Sequence, residues 1–191
     1  NKEENWGEQP VVRNKEKGGK KEMELPPGYS FENWEAPKDI YGRDQLFEPT
    51  GIAVAKDGTV VVATRTAGIW RIRNDKWTKF AEGTYECLGV WIEDDKGDQF
   101  VVMQKPELTR MKDSNGDGRG DSFETVCDDY GFHGNYHEYA HGPVRDKEGN
   151  YYFSLNLSHG GNERTSWRAG GPFMGSMGGY LSLIHISEPT R

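Results

Sequence analysis

At 191 residues the chain is long enough for one domain with its own core and does not require two. With 34% apolar residues, 29% charged residues and 25 glycines it reads as a turn-rich all-β protein rather than a helical bundle, and six Trp, nine Tyr and eight Phe exclude disorder as its general state. A formal net charge of −7 argues against a nucleic-acid partner, which needs a basic face; the Lys-rich run from Lys15 to Lys21 is interleaved with Glu and Gly.

Residues 1–46 are polar, contain Pro10, Pro26, Pro27 and Pro37, and keep no sustained period of 2 or 3.6. They read as a linker or N-terminal extension. No run in the chain is long and apolar enough for a membrane-spanning helix. The sequence opens on Asn1, and the export signal of the secreted or periplasmic protein expected here is not among these residues.

From residue 47 a unit repeats. Pro49 to Ala55 is followed by the turn Asp57-Gly58, Thr59 to Thr64, a second turn at Arg65 to Gly68, Ile69 to Ile72, and Trp77 to Ala81. Asp57-Gly58 suits a tight hairpin that needs positive φ, and the flanking β-branched residues favour extended pairing. The pattern returns as Cys87 to Ile92, a turn at Asp94 to Gly97, Gln99 to Gln104 and Glu107 to Lys112. It returns again as Ala140 to Val144, a turn at Glu148-Gly149-Asn150, and Tyr151 to Leu157. Gly51 and Gly89 lie 38 residues apart and Gly89 and Gly142 lie 53 apart. Four-stranded units recurring every ~40 to 50 residues are the mark of propeller blades. The expectation is a partial β-propeller over residues 47–180, about three blades of six; the competing architecture is a β-sandwich.

Between the second and third units stands Asp113-Ser-Asn115-Gly-Asp117-Gly118-Arg119-Gly-Asp121-Ser-Phe-Glu124, which meets the calcium-loop pattern D-x-[DN]-x-[DN]-G-x5-E at every constrained position. A hard dication takes six to eight oxygens. The pattern assigns them to the side chains of Asp113, Asn115 and Asp117, the carbonyl of Arg119, Asp121 through water, and both oxygens of Glu124, with Gly118 making the bend. The competing reading is a polar turn of Asp, Asn and Gly that folds without metal. The flanking residues read as strands, so a static structural ion is expected rather than a sensor, with an affinity on the order of 10⁻⁴ to 10⁻³ M.

His133, His137 and His141 recur every four residues, and 137–141 spells the zinc-hydrolase pattern H-E-x-x-H. That chemistry needs a helix to place both imidazoles on one face, and Gly131, Gly134 and Gly142-Pro143 oppose one. The two cysteines, Cys87 and Cys127, fit either one disulfide or two buried thiols. Asn156 to Gly161 and the glycine-rich 169–180 read as a long loop able to cover a ligand. Residues 181–191, Leu-Ser-Leu-Ile-His-Ile-Ser-Glu-Pro-Thr-Arg, resemble a translated sequencing adapter, the alternative being an ordinary strand.

The segment Thr64 to Ile72 resembles the opening blade of the soluble quinoprotein glucose and sorbosone dehydrogenases, and Leu88-Gly89-Val90 resembles the start of their next blade. Asn135-Tyr136-His137, with Gly142-Pro143 and Tyr151-Tyr152-Phe153 after it, is similar to the segment that carries their catalytic histidine. A closer likeness is to large secreted propeller proteins of planctomycete type, which often carry a c-type haem domain elsewhere. The resemblance implies a six-bladed propeller that oxidises a sugar or polyol with pyrroloquinoline quinone (PQQ). His137 would take the hydroxyl proton as hydride leaves, and Asn135 and Arg65 are the candidate cofactor contacts. Tyr85-Glu86-Cys87 departs from the glutamine-rich approach of that family, and no C-x-x-C-H haem motif is present. A non-catalytic propeller module that binds a glycan or a protein is the alternative from another class.

Overall fold

A computed structural model describes residues 8–14, 26–30, 32–128, 130, 139–155 and 180–184. The strands are β1 (Gln9–Pro10), β2 (Arg13–Asn14), β3 (Asn33–Trp34), β4 (Pro49–Val54), β5 (Val60–Thr64), β6 (Ile69–Arg73), β7 (Lys76–Ala81), β8 (Val90–Ile92), β9 (Gln99–Met103), β10 (Leu108–Lys112), β11 (Ser122–Cys127), β12 (Ala140–Arg145), β13 (Tyr151–Leu155) and β14 (Tyr180–Ile184). Among the described residues there is no helix, and none therefore that could cross a membrane. The all-β expectation holds, and the strands of the repeated units fall where turn chemistry and β-branched runs placed them.

Three antiparallel sheets follow one another along the chain. The first has the order β1-β7-β6-β5-β4, the second β11-β10-β9-β8, and the third β12-β13-β14, with β2 and β3 as a separate pair. Short turns explain the meanders: Gly58 has φ +89°, and Asn74 and Asp75 both have positive φ, the geometry of a two-residue hairpin that matches strand twist. Within the segment read as linker, Gln9–Pro10 adds to the outer edge of β7, and β2 pairs with β3. Two-residue strands leave no period in a sequence. Tyr180–Ile184, at the boundary of the adapter-like tail, pairs with β13.

Strand alternation gives each sheet two working faces. Val61, Ala63, Ile69 and Phe80 of the first sheet pack with Phe100, Val102 and Met111 of the second. The intervening residues Val101, Met103 and Leu108 turn to the other side and pack with Ala140, Tyr151 and Phe153 of the third sheet. On the far face of the first sheet, Val62, Trp70, Ile72 and Trp77 form a third cluster, with Phe47 edge-on to both tryptophans at 6.0 and 5.5 Å.

The first strands of the three sheets meet at their glycines. A Cβ on Gly51 would lie 2.6 Å from the Gly89 Cα, and one on Gly89 would lie 1.8 Å from the Gly142 carbonyl oxygen. Only glycine permits backbones to approach this closely. Thr50 Oγ1 donates to the Cys87 carbonyl across the same seam.

Cys87 and Cys127 are both buried, each in a different cluster, and are not joined in a disulfide. Of the two alternatives, the structure has two thiols. Burial pushes the Cys87 thiol up to about 12, so it stays protonated at neutral pH. The expected outcome of a thiol-reagent assay at pH 8 is slow labelling of Cys87 in the native chain and prompt labelling after denaturation. Prompt native labelling of Cys87 would show that this packing is wrong.

Candidate functional site

Antiparallel succession sorts the connections to two ends. At one end stand the turns 55–59, 74–75, 93–98 and 146–150 and the candidate metal loop between β10 and β11. The other end holds 65–68, 82–89, 104–107 and the approach to β12. At the first end the Asp57 N–H donates to the Asp95 carbonyl at 3.1 Å across the first two sheets, and the Asp113 N–H donates to the Asp98 carbonyl at 2.8 Å within the second.

The loop is folded by its own acidic side chains. Asp113 accepts from the N–H of Gly116 on one oxygen (2.7 Å) and from the N–H of Gly118 on the other (2.9 Å). Asn115 Oδ1 accepts from the Asp117 N–H, and Asp117 Oδ1 from the Arg119 N–H, both at 2.9 Å. Asp121 accepts from the Ser114 N–H and hydroxyl, each at 2.8 Å; these bonds hold its carboxyl below the usual range. Gly118, with φ +94°, makes the bend its place in the pattern requires.

Glu124 stands apart from the other five. It lies on β11 opposite Arg110 of β10, accepts from that guanidinium at 2.7 Å, and is 61% exposed. Among the described residues, no three His, Cys, Asp or Glu side chains are gathered as a ligand set. Of the residues the pattern names, Asp113, Asn115, Asp117, Arg119 and Asp121 lie within the connection between β10 and β11, and Asp113 Oδ2 accepts from both the Gly118 N–H and Arg71. Glu124 would join them only by leaving Arg110.

A buried charge network backs the loop. Arg71 on β6 has a side chain only 5% exposed; it donates to Asp98 at 2.5 Å and to Asp113, itself 2% exposed, at 3.5 Å. Its guanidinium lies 5.2 Å from the Phe80 ring centroid. Asp98 also accepts from Arg73 at 2.8 Å. Burial, then the neighbouring Arg73 charge, lowers the Arg71 pKa from its ordinary value, against the pull of both carboxylates. Between this network and the loop opens a polar cleft of about 450 Å³, lined by Arg71, Arg73, Lys76, Asp117 and Arg119 among others. The sequence reading missed Arg71 because Ile-Trp-Arg-Ile-Arg gives a basic residue no reason to be inside.

The opposite end holds Arg65, one of the residues pointed to by the resemblance. Arg65 pairs with Glu86 at 3.1 Å and Glu48 at 3.4 Å, and Glu86 also accepts from Lys105 at 2.7 Å. Lys105 lies 5.8 Å from the Tyr85 ring centroid and 5.1 Å from that of Tyr139. Glu86 adopts φ +47°, a costly conformation for a non-glycine residue, held by its two cations. Neither Glu86 nor Lys105 was singled out as a site residue from sequence; the departure at Tyr85-Glu86-Cys87 was the available signal. Asn135 and His137 lie outside the described residues, as do His133 and Glu138. His141 is on strand β12, so the helix that an H-E-x-x-H zinc site needs does not run through its second histidine. The chain matches no known protein-family model, no curated protein and no solved structure.

Proposed function

We propose that the chain is part of an exported β-propeller of the quinoprotein sugar and polyol dehydrogenase kind, in which the loop 113–124 binds calcium as a structural ion. The observation that carries the reading is the glycine seam. Three successive antiparallel sheets bring their first strands together at Gly51, Gly89 and Gly142, the spacing that defined the repeat. Sheets stacked face to face with their first strands on a common line are what radially arranged blades require.

The division of the two ends supports the assignment of roles. The candidate metal loop shares one end with the tight turns, opposite the end that holds Arg65. An ion there braces adjoining sheets and takes no part in chemistry. Arg65, at the other end, is a proposed contact to the quinone, and His137 is the proposed base; PQQ, when bound, supplies the acceptor for hydride. Arg65 is already engaged by Glu86 and Glu48, so it would serve the cofactor only as part of that network. This engagement favours the second reading, a non-catalytic module that takes a glycan or a protein partner at the same end.

The test uses the full-length protein with calcium and PQQ. Quinone uptake and dye reduction with aldoses or polyols are expected, with turnover lost in His137→Ala while quinone uptake persists. Absence of both uptake and turnover assigns the chain to the second reading.

A further inference from the structure

The outward face of the first sheet repeats, position by position, the face by which the second sheet packs on the first. In the first sheet Ile52 lies opposite Val62, Val54 opposite Val60, and Val60 opposite Ile72. In the second, Val90 lies opposite Val102, Ile92 opposite Phe100, and Phe100 opposite Met111. The two sets start from the same place, since Gly51 precedes Ile52 as Gly89 precedes Val90. Every one of these residues is apolar, but their surroundings differ. Phe100, Val102 and Met111 are buried against the first sheet, and Val90 and Ile92 pack on the same cluster. Ile52 and Val54 are 66% and 64% exposed. Phe47 closes the β6–β7 half of the outward face by its contacts with Trp70 and Trp77. The β4–β5 half is the floor of an apolar cleft of about 510 Å³, lined by Trp34, Phe47, Ile52, Val54, Val60 and Trp77 among others.

We infer that this cleft seats a further sheet of the same polypeptide, which lies on β4 and β5 as the first sheet lies on β8 and β9. This inference rests on the propeller reading proposed above. Alternation along a strand gives each face its own composition, and an antiparallel sheet that met water on this side would carry polar residues at 52 and 54. In a repeat fold each unit buries its faces against its neighbours, so a face that matches a packed one in register is built for the same kind of neighbour. The register also states what that neighbour presents. The second sheet is met by Val61, Ala63, Ile69 and Phe80, so the occupant is a sheet face of small and β-branched residues with one aromatic ring. Its source is the same chain, because the described sheets follow one another along one polypeptide and meet at the glycines of their first strands.

The experiment measures maleimide labelling of the full-length protein, site by site by mass spectrometry, in Ile52→Cys, Val54→Cys, Val90→Cys and Leu46→Cys. Leu46 is 68% exposed and does not line the cleft, so its variant sets the rate of an open site. Val90 occupies in the second sheet the position that Ile52 occupies in the first. The Ile52→Cys and Val54→Cys thiols are expected to react about tenfold or more slowly than that of Leu46→Cys, as slowly as that of Val90→Cys, at every protein concentration. Prompt labelling at 52 and 54 with slow labelling at 90 overturns the inference and leaves the stacking of the described sheets intact. Prompt labelling at 90 as well overturns the propeller reading and the inference together. Protection that fades on dilution assigns the cleft to a second copy, which overturns the inference. A photo-cross-linking p-benzoylphenylalanine in place of Val54 then identifies the cover. Cross-links to a strand of a further repeat unit in the same polypeptide support the inference, and cross-links to residues 1–46 or to a second copy overturn it. If one cysteine variant in the cleft does not fold, the other is read together with the cross-link.

Discussion

On the proposed calcium reading, Asp113→Asn is expected to lower calcium uptake by about a hundredfold or more and to leave the chain less stable even in chelator. The two losses have separate causes. The first is the removal of a ligand charge at the head of the loop. The second is the exposure of Arg71 to one fewer counter-charge in a place where water does not reach: its side chain and that of Asp113 are 5% and 2% exposed. Breaking one partner out of a buried ion pair costs about 3 kcal/mol, a figure at the low end of the usual range because Asp98 remains. Calorimetry reads the affinity and urea unfolding in chelator reads the stability. An unchanged unfolding midpoint would mean that Arg71 and Asp113 are not coupled as described.

Gly89→Ala is expected to have the largest effect on folding. The new methyl would stand 1.8 Å from the Gly142 carbonyl oxygen, which belongs to the first strand of the next sheet. Relief requires the seam between β8 and β12 to open, and with it the packing of Val101, Met103 and Leu108 against Tyr151 and Phe153. A loss above ~4 kcal/mol follows, enough to leave a marginally stable chain without a native state. Gly116→Ala is the contrast: its φ of +80° is unfavourable to alanine, but no atom lies within 4 Å, and the cost is about 1 to 2 kcal/mol. Far-UV and near-UV circular dichroism of the two variants side by side distinguish a seam that must be glycine from a turn that prefers it. A folded Gly89→Ala with wild-type stability would remove the seam as the feature joining the sheets.

How much of this was legible in the sequence depends on range. Asp57-Gly58 and the β-branched residues beyond it announce a hairpin because turn geometry and pairing preference are local, and the glycine spacing announces a repeat because each unit meets its neighbour the same way. Arg71 was not legible. In isolation, a basic residue between Trp70 and Ile72 reads as the solvent-facing member of an alternating strand; only stacking of the second sheet on that face turns it inward. Glu124 shows the converse. Its place in a twelve-residue pattern names it as an ion ligand, while its hydrogen-bonding register with β10 sets it opposite Arg110. Pattern and register act on the same carboxylate, and a one-dimensional reading contains only the first. The thiols illustrate a third limit, since composition permits a bridge between Cys87 and Cys127 and only packing separates them into two clusters.

The strands between the two ends act as spacers with an electrical consequence. Strands such as β5, β6 and β9, of five residues each, hold the ends about 17 Å apart, roughly twice the distance over which exposed charges feel one another at physiological salt. A dication seated among the turns is therefore nearly invisible, as a charge, to groups at the other pole. Whatever influence an ion had there would have to travel through the stiffness of the stacked sheets, so, on the proposed calcium reading, a trivalent lanthanide of similar radius would leave the proton affinities at that pole the same.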